Sequence, residues 1–557
     1  MSDVEEQSLS QGGESDQSSQ ETDQAIAFEM DHADAFELNP RPWYVFEAHL
    51  DYHVQRRLKQ RHVQMIAIAG TIGTGLFLGS GRTLGGAGPL GALIAYFHVG
   101  TVAYASFCSL CEMTTWAPVL GTFPYFAERW VDPALGFAVG WNYFYGTAIS
   151  TPVEINAAVI LLTFWDKNVL CVFACLVNIV GVRWFGESEF AFSMIKILLL
   201  IGLLISGLII DLRKGPEGHR IGFGYWNDPG AVARAGLVEN LHTDRFIAIL
   251  SVLVQAAFSF QGMELVAIAA AETESPRRNI TKAMRRVLFR IITFYILGII
   301  MVGMLVAYND PALLQNSGTA AQSPFVIAIN RAGVRVLPHI INAAIFSSAF
   351  SAGNSFVYSA SRILHGLAVR GQAPRIFACC TKDGLPIYAV IVASSFSLLS
   401  FLNIYSGPER VFNWFVYLSA TAGFSGWFSM NLTYIFFYRG MKEQEFDVVQ
   451  NAYHNPWQPN PWQPYLAYWG CAWSAIFVLI NGLTVFFGKF NVSGFFAAYI
   501  NIPIFFILYF GFKYTMGTNI VHPRDGDFVT DIPTPDETEI PEDPPRNVWE
   551  HIAEFVF

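Results

Sequence analysis

The sequence predicts an all-α membrane protein with twelve transmembrane helices. Of its 557 residues, 53% are hydrophobic and 14% are charged, whereas about a quarter of an ordinary soluble domain is charged. Apolar runs of nearly twenty residues recur along the chain, and about 20 apolar residues span the hydrocarbon core of a bilayer. One or two such runs could be buried helices of a soluble protein, but a dozen could not.

Twelve spans follow from apolar runs that are bounded by charged residues, Gly or Pro. Their predicted limits are 63–81, 88–111, 134–163, 168–184, 188–210, 246–271, 287–307, 336–368, 385–404, 411–438, 466–487 and 492–514. An even number places both termini on one side. With the termini inside, the inner segments hold twenty Lys and Arg and the outer segments eleven, so both termini are predicted to be cytoplasmic.

The spans divide the chain into three parts. Residues 1–60 are predicted to be an acidic cytoplasmic tail, residues 61–520 the membrane domain, and residues 521–557 a second cytoplasmic tail, acidic and Pro-rich. The first 40 residues contain eleven acids and no Lys or Arg. They have no apolar signal segment, and both acidic tails are expected to be disordered because they cannot bury enough apolar surface.

Other compositional features argue against metal and nucleic-acid binding. Cys108 and Cys111 have metal-ligand spacing, but no second ligand pair follows, so we expect the seven cysteines to be packing thiols and no metal site to exist. The basic cluster from Arg277 to Arg290 is interpreted as an orientation signal that attracts anionic membrane lipids. A nucleic-acid patch would need a soluble surface.

The first span contains Gly70, Gly73 and Gly75 inside a run that must otherwise be helical. Gly costs about 1 kcal/mol in a helix relative to Ala, and unwound backbone is tolerated in a membrane only where it lines a cavity or is buried in protein. The glycines therefore predict either a helix break or close packing against another helix. A dinucleotide-binding loop is a third interpretation, but no strand precedes it and no βαβ unit surrounds it.

The sixth span is interrupted in the same way by Gln261, Gly262 and Glu264. Gly-interrupted spans at matching positions of two five-helix halves indicate an inverted-repeat transporter with its site between them. Freed N–H groups at the positive end of a half-helix bind an anion such as an α-carboxylate, and freed carbonyl groups accept from an ammonium group. An amino acid satisfies both, which makes it the predicted substrate.

Three charged residues within spans are candidates for function, because charge inside a membrane is costly. They are Glu154 in the third span, Lys196 in the fifth and Glu264 in the sixth. Structural interpretations stay open for each. Glu264 could cap exposed backbone, Glu154 could pair within the helix bundle, and the long side chain of Lys196 could extend to the membrane surface.

Seven ordered segments resemble the fungal amino acid permeases, the yeast amino acid transporter family of the amino acid–polyamine–organocation superfamily. They are residues 62–77, 109–113, 131–143, 270–278, 354–362, 371–374 and 411–414. The resemblance implies a LeuT-type 5+5 inverted repeat with discontinuous helices 1 and 6. It also implies proton-coupled amino acid uptake by alternating access at the plasma membrane of a fungus, without a cofactor.

The resemblance also implies roles for individual residues. The substrate carboxylate would bind at Gly73, Thr74, Gly75 and Leu76, and the amine would be surrounded by Phe258, Ser259, Phe260 and Gln261. Lys196 matches a lysine that stands where sodium-coupled relatives bind a cation, and could bridge the first and eighth helices. Glu154 and Glu264 match family acids and are candidates for proton coupling.

An enzyme is not predicted, because the sequence has no metal-ligand cluster, nucleophile–base pair or cofactor motif. The alternative function is an amino acid receptor of the same fold that binds without transporting. Turnover through ubiquitin-ligase machinery is a further hypothesis, whose acceptors would be Lys59, Lys282, Lys382, Lys442 or Lys513.

Overall fold

The structure is a computed structural model that describes residues 65–162, 185–212, 221–314, 323–446 and 461–539, except 67, 69, 78, 334–335, 382–383, 403–407, 488–489 and 531. Every regular element within these residues is a helix. The α-helices are α1 (Thr74–Phe77), α2 (Gly79–Trp116), α3 (Thr122–Trp130), α4 (Pro133–Leu162), α5 (Phe185–Leu212), α6 (Gly224–Asn227), α7 (Leu241–Phe260), α8 (Leu265–Ile268), α9 (Pro276–Leu305), α10 (Pro311–Leu314), α11 (Pro324–Arg331), α12 (Leu337–Val369), α13 (Ile387–Ser395), α14 (Pro408–Glu443), α15 (Tyr465–Ile480), α16 (Val492–Tyr499), α17 (Asn501–Met516) and α18 (Pro535–Thr538). Short 3₁₀ helices cover Ala269–Glu272, Arg375–Ala378, Phe396–Leu402 and Leu483–Phe486.

The described residues include several helices suited to a membrane. Five segments are long and apolar enough to cross one: Gly79–Trp116, Glu189–Leu212, Leu241–Ile268, Leu337–Val369 and Val492–Met516. Each predicted span overlaps a helix except 168–184, which lies outside the described residues. The all-α fold with several membrane-type helices is confirmed, and the total of twelve spans stays a prediction.

The junction between the first two predicted spans differs from the prediction. Residues 82–87 are helical, and the chain changes direction at Gly88, with φ 77° and ψ 174°. A Cβ atom at Gly88 would lie 2.7 Å from the Ala233 backbone nitrogen, so both the positive φ and the close approach require glycine. The first span was predicted to end at residue 81, directly before Arg82, but Arg82 lies within the helix, where its guanidinium donates a 2.5 Å hydrogen bond to Asn413.

The long helices pack in two groups that position the site. Helix α2 packs against α7 and α9, while α4 packs against α12 and α14. Small residues permit close approach in the second group, since a Cβ atom at Gly146 would lie 2.6 Å from the Ala422 Cβ. Helices α1 and α8 both contact α12, so the interrupted segments lie where the two groups meet.

The segment after α17 packs against the helical domain, although disorder was predicted from Asp525 onward. The Phe528 side chain is 3% exposed, and its ring lies 5.6 Å from that of Trp130 and 5.7 Å from that of Phe437. The Trp116 indole donates a 3.1 Å hydrogen bond to the Phe528 carbonyl. The acidic, Pro-rich composition obscured two apolar residues, Phe528 and Ile532, that are buried in this packing.

Candidate functional site

The first predicted helix break is present. The described residues up to Thr71 are helical, Ile72 and Gly73 are not, and α1 begins at Thr74. Side chains of other helices satisfy the carbonyl groups that the break leaves free. Ser348 on α12 donates to the Ile72 carbonyl at 2.9 Å, and Tyr295 on α9 donates to the Thr71 carbonyl at 2.9 Å.

The second predicted break is also present and lies against the first. Helix α7 ends at Phe260 and α8 begins at Leu265. Gly262, between them, has a φ of 95°, which glycine adopts without the steric cost of a side chain. A Cβ atom at Gly262 would lie 2.7 Å from the Gly70 carbonyl oxygen, so the backbone of the second break closely approaches the helical turn directly before the first break.

The glycines of the first span also allow close helix packing. A Cβ atom at Gly75 would lie 2.9 Å from Ser259 Cα and 3.1 Å from Ser259 Oγ, and one at Gly70 would lie 2.1 Å from Leu265 Cδ1. The two interpretations left open by the sequence therefore apply together. One short segment combines a break in the helix with tight approach to α7 and α8.

Tyr295 joins the two breaks, and the sequence analysis did not identify it. Its hydroxyl lies 2.6 Å from the Ser259 carbonyl oxygen, in addition to its contact with Thr71. Tyr96 contributes a second hydroxyl, 3.0 Å from Ser259 Oγ. A signal was available, because a tyrosine inside an apolar span needs a hydrogen-bond partner for its hydroxyl.

The predicted substrate-binding residues fall into two sets. Residues 73–76 and 258–259 come together, with Gly75 packed on Phe258 and Ser259. The Phe260 ring instead packs among aromatic side chains, 4.8 Å from the ring of Tyr295. The Gln261 amide faces α14, where it donates to the Ala420 carbonyl at 3.3 Å.

Glu154 reaches the first break from α4. Its Oε2 accepts from the Thr74 hydroxyl at 3.1 Å and from the Thr74 backbone N–H at 3.4 Å. A Cβ atom at Gly73 would lie 2.8 Å from its Oε1. The carboxylate thus already binds the amide of Thr74, one of the residues predicted to hold an anionic substrate group.

Lys196 is fully buried, so its side chain does not extend to the membrane surface. It interacts electrostatically with two carboxylates, Glu189 first and Glu154 second. Glu189 was missed by the sequence analysis. It is fully buried on α5 and accepts a 2.5 Å hydrogen bond from Ser351 on α12.

The third predicted acid, Glu264, has different partners. Its Oε1 accepts from the Tyr143 hydroxyl at 2.7 Å, and the Trp427 indole also contributes to its environment. It lies at the C-terminal end of the second break, directly before α8. Among the described residues, no group of three or more His, Cys, Asp or Glu side chains could hold a metal ion.

One cavity of about 500 Å³ lies away from the breaks. Its lining is apolar and aromatic and comes from α2, α9 and α15, with Phe97 at the exposed surface. Tyr96 is common to this cavity and to the contact with Ser259. The lining offers no charged group that could bind a zwitterion, so the broken helices remain the candidate site.

Known proteins resemble this chain over most of its length. A family model for amino acid permeases matches residues 62–522. The dicarboxylic amino acid permease of Saccharomyces cerevisiae is 38% identical over 86% of this chain and 80% of its own length. The proline-specific permease of Emericella nidulans is 39% identical over 84% and 86%, and the lysine-specific permease of S. cerevisiae is 37% identical over 90% and 83%.

A solved structure shares the fold. The manganese transporter of Eremococcus coleocola superposes with a TM-score of 0.50 at 11% sequence identity, covering 85% of this chain and 99% of that protein. At this identity the likeness shows a LeuT-like transporter fold and nothing about the substrate. The permease matches indicate a transporter and not an enzyme. The chain belongs to the amino acid permease family, whose members are multi-pass membrane transporters.

Proposed function

We propose that this protein takes up an amino acid together with a proton by alternating access, through twelve spans arranged as a 5+5 inverted repeat. The plasma membrane, with both termini in the cytoplasm, is the proposed location. The observation that carries the proposal is the close approach of the unwound segment at Gly262 to the Gly70 backbone, in the helical turn directly before the first break. Unwound backbone at membrane depth, buried between helices, is where inverted-repeat transporters bind their substrate.

The chemistry of the two breaks suits the ends of an amino acid. The N–H groups of Thr74, Gly75 and Leu76 lie at the start of a helical segment, where N–H groups favour an anion. The carbonyl groups of Ser259 and Phe260 lie at the C-terminal end of α7, where carbonyl groups without a helical partner would accept from an ammonium group. Bound there, the α-carboxylate and α-amine would each meet complementary backbone.

The relatives do not single out a substrate side chain. Permeases named for dicarboxylic amino acids, proline and lysine are all 37–39% identical to this chain. Their substrates have the α-carboxylate and the amine in common and differ in the side chain. We therefore propose that the backbone breaks bind the shared part of the substrate, and that residues around them select the side chain.

We propose that proton coupling arises because Glu154 and the substrate carboxylate compete for the hydrogen-bond donors of Thr74. Glu154 accepts hydrogen bonds from the Thr74 amide and hydroxyl, at the position proposed for the substrate carboxylate. Two carboxylates at such a short separation repel each other strongly when both are ionised. Substrate binding would therefore favour protonation of Glu154, and release of the substrate would favour its loss of that proton, which is the coupling that symport needs.

Uptake of labelled amino acids in a permease-deficient yeast tests the proposal. Cells that produce this protein should accumulate L-glutamate, L-proline or L-lysine above the external concentration, and a protonophore should abolish the accumulation. Binding of a labelled amino acid without accumulation would instead identify a receptor. Absence of both would contradict an amino acid site altogether.

Replacement of Lys196 tests the coupling. Lys196→Ala leaves the carboxylates of Glu189 and Glu154 without their buried counter-charge, so we expect pH-dependent accumulation to be lost. Lys442→Ala, at the exposed end of α14, is the matched control and should transport normally at equal surface abundance. Full pH-dependent uptake by Lys196→Ala would refute a role for this lysine in coupling.

A further inference from the structure

The buried cluster around Lys196 contains one ammonium and two carboxylates. Lys196, Glu189 and Glu154 are at most 3% exposed, and the lysine interacts electrostatically with both acids. With all three ionised, the cluster would carry one net negative charge away from water. An uncompensated buried charge costs several kcal/mol, so the cluster is neutral when one of the two carboxylates holds a proton.

We infer that Glu189 is the fixed counter-ion of Lys196, so that Glu154 alone gains and loses the transported proton. This inference rests on the proposed function and adds to it a positioning residue that the permease motifs had not indicated. The two acids differ in what surrounds them, and that difference assigns their roles.

Glu189 accepts its hydrogen bond from α12, and no described residue of the two breaks donates to it. Its Oε2 accepts from Ser351 on α12, and its Oε1 is buried without a hydrogen bond. Lys196 is the cation with which it interacts electrostatically. The two residues are seven apart on α5, or two turns. Because helical side chains tilt toward the N-terminus, the long lysine side chain extends toward Glu189.

Glu154, by contrast, touches the segment that the substrate is proposed to bind. Its side chain accepts two hydrogen bonds from Thr74, and Tyr295, which ties the two breaks together, also interacts with it electrostatically. A change at the breaks therefore acts directly on Glu154. Glu189 accepts from Ser351 instead of from a residue of the breaks, so we expect a change at the breaks to act on it less directly.

The inference predicts what happens when the fixed charge is removed. Glu189→Gln retains the shape and an acceptor for Ser351 but leaves Glu154 as the only counter-ion of Lys196. The ammonium of Lys196 would then interact with Glu154 alone and favour its ionised form, so a more acidic medium would be needed to protonate Glu154. We expect the pH of half-maximal uptake to fall by about one unit or more, with transport retained below that pH.

The experiment compares pH profiles of uptake in yeast, using whichever of L-glutamate, L-proline and L-lysine the unmodified protein accumulates. Glu189→Asp should restore part of the shift, and Asp211→Asn, which changes another acid of the same helix, should leave the profile unchanged. A purely structural role for Glu189 would lower surface abundance without moving the profile. An unmoved profile, or uptake by Glu189→Gln that no longer depends on pH, would overturn the inference.

A second variant tests the pairing of Glu189 with Lys196 if Glu189→Gln does not reach the membrane. Glu189→Gln combined with Lys196→Met removes both the acid and the ammonium it balances, so surface abundance should recover in the double variant. No recovery would overturn the pairing. If the unmodified protein itself accumulates no amino acid, the proposed function fails, which is a different result from an unmoved pH profile.

Discussion

At the scale of single residues, Gly75 is the position where α1 lies closest to the end of α7. A side chain there would meet Ser259 Cα at 2.9 Å, a distance at which the neighbouring backbone must move. Gly75→Leu should therefore displace the N–H groups proposed to bind the substrate carboxylate, and raise the apparent KM for uptake about ten-fold or more, equivalent to about 1.4 kcal/mol.

The control for this prediction is another helical glycine. Gly511 on α17 has no atom within 4 Å of its added Cβ, so Gly511→Leu should leave uptake unchanged at equal surface abundance. An unchanged apparent affinity in Gly75→Leu would show that the substrate binds elsewhere. Competition by unlabelled amino acid at several concentrations measures the affinity in both variants.

The residues that could be predicted from the sequence are those whose type is costly in a membrane. Lys196 and Glu154 stood out because charge is expensive there, and Gly73 and Gly262 because glycine weakens a helix. Glu189 escaped attention because it lies near the beginning of its span, where an acid is expected to mark a boundary. Its role depends on Lys196 and on Ser351 of α12, and a contact between distant helices has no pattern in a single sequence.

At the scale of elements, Tyr295 of α9 fixes the relative position of the two broken helices. Its hydroxyl contacts the Thr71 and Ser259 carbonyl oxygens, which have lost their helical partners. The Thr71 carbonyl also accepts from the Gly73 N–H at 3.0 Å, so Tyr295→Phe mainly leaves the buried Ser259 carbonyl without this donor, which costs about 1–3 kcal/mol. We expect a lower melting temperature of the purified protein and weaker uptake.

Tyr308, just beyond α9, supplies the comparison. Its hydroxyl makes a 3.4 Å contact with the Pro229 carbonyl in a half-buried position, so Tyr308→Phe should have little effect on either measurement. Equal melting temperatures of Tyr295→Phe and the unmodified protein would contradict the idea that this hydroxyl stabilises the breaks. The break positions themselves could be predicted from Gly and Gln in apolar runs. The tyrosine in an apolar span signals a buried hydrogen bond, but the sequence does not show which carbonyl groups accept it.

The segment after α17 is a second element whose stability can be measured. Phe528→Ala removes a ring that packs against Trp130 and Phe437, and a buried Phe→Ala change costs about 3–5 kcal/mol. We expect residues 521–539 to become sensitive to limited proteolysis in the purified protein. Val529→Ala, at a neighbouring side chain that is 63% exposed, should keep the protection, and equal cleavage of both variants would refute the docking.

At the scale of the whole molecule, polar contacts join the two helix groups at both ends. Arg82 on α2 binds Asn413 near the start of α14, while Gln444, just after the end of α14, binds carbonyl groups of the segment after α17.

Arg362 on α12 pairs with Glu272 after α8, including a 3.3 Å contact to its second oxygen. Glu272 and Arg277 flank the short link into α9, and Arg277 binds the same segment after α17. The Arg362–Glu272 pair therefore lies at the end opposite to Asn413.

Alternating access by rocking of the two groups requires one of these contacts to break while the other holds. In the proposed orientation, with the chain termini in the cytoplasm, the Arg362–Glu272 pair would close the inner end and the Arg82–Asn413 contact would close the outer end. Glu272→Gln should favour the inward-open state, and Asn413→Ala the outward-open state. Because apparent affinity scales with the population of the competent state, external substrate should bind more weakly to Glu272→Gln and more tightly to Asn413→Ala. Substrate competition on intact cells measures both, and a shift of the two variants in the same direction would be incompatible with rocking about a shared central site.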